Sequence, residues 1–156
     1  MEKVVVIGLG LIGGSLALDL KQRISCEVYG IDHNPNHLKK AKELGIIDDG
    51  IEFSEIKDAS VVIIAVPVDL IPTVALEVLD VISDKTLVFD VGSVKNNICV
   101  AIEKHPKRKK YVAAHPLAGT EFSGPEAAIL NLFDNKVNII CESDKTDWQI
   151  LDKALS

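Results

Sequence analysis

A chain of 156 residues with a formal charge of −6, 47% hydrophobic and 26% charged residues, has the length and balance of one globular domain with its own core. The acidic surplus disfavours nucleic acid and anionic membrane surfaces, no apolar run nears the roughly 20 residues of a bilayer span, and no leader pattern opens the chain. Cys26, Cys99 and Cys141 are too scattered for a disulfide framework and lack metal-ligand spacing, so reduced, buried thiols in a cytoplasmic protein are expected.

In chain order, strands are expected at Lys3–Gly8, Glu27–Ile31, Ser60–Val66, Leu87–Val91, Tyr111–Ala114 and Val137–Cys141. Most are unbroken apolar runs, the pattern of parallel strands covered on both faces. Helical stretches fall between them at Leu11–Arg23, Pro35–Leu44, Leu70–Ile82, Val94–Lys104 and Glu126–Leu132, with the opening of another at Asp147–Leu155. The alternation predicts an α/β architecture, a doubly wound and mostly parallel sheet built from right-handed βαβ units.

Gly8-Leu9-Gly10-Leu11-Ile12-Gly13 joins the first strand to the first helix. In that context Gly8 serves the tight turn, Gly10 allows close approach of a pyrophosphate and Gly13 lets helix and strand pack together. The free N–H groups at the helix start suit phosphate oxygens, which makes Gly8, Gly10, Leu11, Ile12 and Gly13 candidate dinucleotide contacts. Asp32 ends the second strand 19 positions after Gly13, where a carboxylate accepts from ribose hydroxyls and repels a 2′-phosphate, favouring NAD over NADP. Asp32 has a second candidate role as cap of the helix near Pro35. Val66 and Pro67, closing the third strand, are expected to skirt the ribose and nicotinamide.

Asp90-Val91-Gly92-Ser93-Val94-Lys95 and His115-Pro116-Leu117-Ala118-Gly119-Thr120-Glu121, continuing to Ser123-Gly124, resemble the prephenate/arogenate dehydrogenase family when taken with the glycine turn. The likeness runs in order from Val4 to about Cys141. It implies a Rossmann domain that binds NAD, in enzymes that oxidise and decarboxylate prephenate or arogenate to 4-hydroxyphenylpyruvate or tyrosine. It further implies that His115 is catalytic at the ring hydroxyl, that Ser93 orients it and contacts the same hydroxyl, and that a C-terminal helical domain supplies a substrate-binding arginine and most homodimer contacts. No such domain is present in residues 1–156, so the chain is expected to be a truncated cofactor domain, inactive or weak alone.

The residues support part of that chemistry directly. His115 and Ser93 are expected on the carboxyl edge of the sheet, where ligands bind in open α/β folds. An imidazole there can take up a proton near neutral pH, and Thr120 and Glu121 are candidates for the mouth of the site. Ser93 has an alternative as cap of a helix starting at Val94, and Lys95 as an anion contact or a solvated side chain. Glu121 could instead begin the next helix. His105 is read as a solvated helix exit, His33 and His37 as surface residues beside the adenosine end, and Trp148 as a packing residue. Two other functions share the glycine turn: a dehydrogenase of another substrate class, and a non-catalytic NAD-binding module.

Overall fold

The computed structural model describes all 156 residues. Its elements are β1 (Glu2–Ile7), α1 (Leu11–Arg23), β2 (Cys26–Ile31), α2 (Pro35–Glu43), β3 (Asp49–Gly50), β4 (Val61–Ile64), α3 (Ile71–Val81), β5 (Leu87–Asp90), α4 (Asn96–Ile102), β6 (Tyr111–Pro116), β7 (Asn138–Cys141) and α5 (Trp148–Leu155). They form one seven-stranded sheet in the order β3-β2-β1-β4-β5-β6-β7. All neighbours run parallel except β6 and β7, which pair antiparallel from Ala113↔Cys141 to Pro116↔Asn138. No helix is long and apolar enough to cross a membrane.

Alternation along the central strands explains why both faces are covered. Val5, Ile7, Val62, Ile64 and Val88 point into one core with Ile71, Val78 and Leu79 of α3 and Ile98 and Ile102 of α4. Val4, Val6, Val61, Ile63 and Leu87 point into the other with Ala17 of α1, Ala41 of α2 and Ile150 of α5. A strand with no polar face must be sandwiched, and each fully buried Val or Ile side chain stabilises the fold by about 1.5–3 kcal/mol.

The expected six strands and the helices α1, α2, α3, α4 and α5 are present, α4 shorter than expected. The exception is the segment Glu126–Leu132. Apart from a single 3-10 turn at Pro125–Ala127 it is irregular, because its backbone is bonded elsewhere. Ser15 Oγ accepts from the Ile129 amide at 2.9 Å, and Asp19 Oδ1 from the Asn131 amide at 2.7 Å. Arg23 donates to Asn131 Oδ1 at 3.1 Å and pairs with Asp134. Ser15, Asp19 and Arg23 are spaced four apart and so lie on one stripe of α1. That stripe seizes amides a helix would need for itself. Residues 117–137 therefore form a strap from β6 across α1 to β7.

Other local expectations also change. Helix α4 begins at Asn96, so Ser93 caps nothing. Helix α2 is capped by the Asn34 side chain, which accepts from the Asn36 amide, with Pro35 in its first turn. Trp148 is exposed rather than packed. His105 is not a solvated exit, since its ring bonds Asp80 Oδ1 at 3.0 Å and the Lys107 amide at 3.1 Å. All three cysteines are free, Cys99 buried and the other two half-buried.

Candidate functional site

A cleft of about 670 Å³ opens where the glycine turn meets the ends of β2 and β4. Gly8, Leu9, Gly10, Leu11 and Ile12 form its floor, Asp32, His33 and His37 one end, and Ala65, Val66 and Pro67 a wall. The turn is built by sterics. Gly8 has φ +95°, and a Cβ there would sit 2.5 Å from the Ala65 carbonyl oxygen. A Cβ on Gly13 would lie 2.0 Å from the Gly8 carbonyl oxygen, so Gly13 packs beneath the turn and does not line the cleft. At Gly10 a Cβ would meet nothing within the chain.

The N-terminus of α1 carries no side-chain cap, and the amides of Leu11, Ile12 and Gly13 have no acceptor within the chain. Those of Leu11 and Ile12 line the cleft, at the positive end of a 13-residue helix and beside a glycine floor, an arrangement that suits a pyrophosphate. Asp32 faces the same space. Its side chain is only 5% exposed, yet Oδ2 accepts from the Leu9 amide and Oδ1 from the Asn34 amide, both at 2.9 Å. One bond per oxygen fixes the carboxylate and leaves lone pairs for a diol. Asp32 thus ties β2 to the glycine turn, a role the sequence did not suggest.

The strap completes the cleft through Phe122, Ser123 and Gly124. Phe122 is 65% exposed, and its amide donates to Thr120 Oγ1 at 3.2 Å. Phe53, Leu70 and Val74 add an apolar wall. These lining residues escaped the sequence reading, except that Ser123-Gly124 already stood inside the second motif. The i, i+4 spacing of Leu70 and Val74 at the start of α3 was the available signal for the rest.

His115 lies on β6 and Ser93 in the turn after β5, so adjacent strands deliver both to the carboxyl edge. Neither lines the cleft itself, and Thr120 stands outside it on the strap. The His115 ring has no hydrogen-bond partner within the chain, and it is half-buried. Between the two strand ends sits Lys95, whose side chain is 11% exposed. Its ammonium pairs with the fully buried Asp90 and donates to the Ala114 carbonyl oxygen. Asp90 Oδ2 also accepts from the Gly92 amide at 2.9 Å. Lys95 is therefore neither solvated nor free for an anion: it clasps the turn that carries Ser93 to the strand that carries His115. Burial, and then the neighbouring Asp90 charge, push the Tyr111 phenol well above its ordinary range, so it stays neutral in this core.

A larger hollow, about 740 Å³, lies along Val4, Leu20, Phe89 and Ile140 beside α1 and α5. It contains neither the glycine turn nor Asp32, both of which line the smaller cleft.

The profile of the family described as "Prephenate dehydrogenase, nucleotide-binding domain" matches residues 16–156. A prephenate dehydrogenase of Bacillus subtilis is 38% identical over 158 residues, covering 97% of this chain and 42% of that protein. Among solved structures, prephenate dehydrogenase from A. aeolicus in complex with hydroxyphenyl propionate and NAD+ superposes with a TM-score of 0.91 at 34% identity, covering 99% of this chain and 55% of that one. Synechocystis arogenate dehydrogenase superposes with a TM-score of 0.89 at 30% identity, covering 98% and 54%. The chain thus spans about half the length of the relatives it matches.

Proposed function

Since this chain belongs to the prephenate dehydrogenase family as a nucleotide-binding domain, we propose that it binds NAD in the cleft and forms the cofactor half of an oxidoreductase of tyrosine biosynthesis. The observation that carries this reading is the convergence of an uncapped helix start, a glycine floor and the Asp32 carboxylate on one cleft. In this reading Leu11 and Ile12 donate their amides to the pyrophosphate, Asp32 accepts from the adenosine ribose, and Val66 and Pro67 border the nicotinamide half. The bound cofactor supplies hydride acceptance.

The protein's own task is to position the substrate and move one proton. As hydride and carbon dioxide leave prephenate, or its amino counterpart arogenate, the ring C–OH develops acidity, and a base at that hydroxyl stabilises the growing charge. His115 is the group assigned to it, with an unshared imidazole at the end of β6. Ser93, across the Lys95 clasp, orients the ring and contacts the same hydroxyl, and Thr120 borders the substrate. Both solved relatives carry further chain beyond the length matched here, and the substrate arginine and homodimer contacts are assigned to that kind of domain.

Calorimetric titration of the 156-residue chain with NAD and NADP tests the cofactor site, and absence of NAD binding would refute it. With the sequence joined to a relative's C-terminal half, His115→Asn should lower kcat for prephenate by roughly 10²–10⁴, the usual contribution of a positioned base, with NAD affinity unchanged. Unchanged turnover would remove His115 from the chemistry. Fast turnover by the isolated chain would refute its being half a site.

A further inference from the structure

The adenosine end of the cleft has an unusual electrostatic makeup. Of the residues lining the cleft, only Asp32, His33, His37 and Glu77 can carry charge, and none is Lys or Arg. The two imidazoles converge on one atom: His33 Nδ1 lies 3.5 Å, and His37 Nδ1 3.4 Å, from Asp32 Oδ1. His33 is 90% and His37 35% exposed at the side chain, so both can turn toward a ligand. His33 sits in the turn after β2 and His37 in the first turn of α2, both beside the carboxylate assigned to the ribose diol.

We propose that His33 and His37 form a conditional 2′-phosphate subsite, which makes the choice between NAD and NADP depend on pH. The proposal rests on the NAD reading of the cleft. With both rings neutral, Asp32 is the only charge at the ribose and repels a 2′-phosphate, as in NAD-selective sites. Imidazole is the side chain that gains charge between about pH 8 and pH 5. Two protonated rings, each with its Nδ1 facing Asp32 Oδ1, would change the local sum beside that carboxylate from −1 to +1 and so turn repulsion of a 2′-phosphate into attraction. Of the other charged groups, Glu77 on α3 faces the cleft, Lys40 lies one turn along α2 from His37, and Glu126 is on the 3-10 turn that packs against α2. Neither carboxylate borders Asp32 Oδ1 as the imidazoles do, so the sign at the ribose is set by His33 and His37.

Titrating the 156-residue chain with NAD and NADP at pH 8.0 and pH 6.0 tests this, beside a His33→Asn/His37→Asn variant. The ratio of the NADP to the NAD dissociation constant should fall about tenfold from pH 8.0 to pH 6.0, two screened charge contacts contributing a few-fold each. In the double variant the ratio should stay flat or rise, since a phosphate monoester loses charge near pH 6 and the variant reports that baseline. Equal pH dependence in both proteins, or none in the unaltered chain while NAD binds normally, would overturn the subsite. Failure of the unaltered chain to bind NAD at pH 8.0 would refute the cofactor reading and the subsite with it.

Discussion

Replacing Asp19 by Ala tests the claim that the strap is held by α1 rather than by its own helix. Asp19 is buried, and its Oδ1 accepts from the Asn131 amide at 2.7 Å. A hydrogen bond to a charged group contributes about 1.5–3 kcal/mol. Against that, Ala is the better helix former by about 0.5–0.7 kcal/mol in mid-helix. The net cost is about 1–2.5 kcal/mol. At a urea slope of about 2 kcal/mol/M the midpoint should drop by about 0.5–1.2 M with the slope unchanged. Asp19→Asn keeps an oxygen acceptor and should lose roughly half as much. Because Phe122–Gly124 line the cleft on the same strap, NAD affinity should weaken in step with stability. A midpoint within error of the unaltered chain, or Asp19→Asn as damaging as Asp19→Ala, would refute the reasoning.

Gly13→Ala places a Cβ 2.0 Å from the Gly8 carbonyl oxygen and should lower Tm and abolish NAD binding together, whereas Gly10→Ala, with open space around its Cβ, should weaken binding in calorimetry without lowering Tm. Lys95→Met strands the buried Asp90 carboxylate and should cost about 3–5 kcal/mol in urea melts; adding Asp90→Asn should recover part of it. A hydrogen bond from Lys145 leads, burial opposes, and Arg108 assists in holding the Glu142 carboxyl below its ordinary range. A depressed folded-state value stabilises above the unfolded value, about 4.3, and the gain is lost as pH falls through the folded one. The Tm advantage of the unaltered chain over Glu142→Gln should therefore be present at pH 6 and shrink toward pH 3.

Strands buried on both faces were legible because their sequences leave no polar side to misplace: Val4–Ile7, Val61–Ile64 and Tyr111–Ala114 each read as one apolar run. The reversal of β7 was not, since Asn138-Ile139-Ile140-Cys141 carries nothing that distinguishes one strand direction from the other. The two-residue β3, Asp49-Gly50, is too short and polar to register as a strand. Residues 126–132 read as helix because their apolar spacing is helical, and what overrides it lies over a hundred positions away on α1. At the site, the glycine turn and Asp32 announced themselves through spacing, while the partners of Lys95 and Asp32 depend on which strand ends the fold makes neighbours. The motif residues Ser93 and His115 reach the same edge, but their joint role rests on the family resemblance.

The cleft that would receive an anionic pyrophosphate offers it no fixed cation, in a chain of net charge −6. Long-range attraction therefore cannot gather the nucleotide from solution. Encounter should proceed at an unsteered rate, and added salt should change capture little, or speed it by shielding the overall repulsion. Retention then falls to short-range dipoles and contact alone, which release as readily as they hold. That arrangement suits a ligand that is exchanged rather than kept.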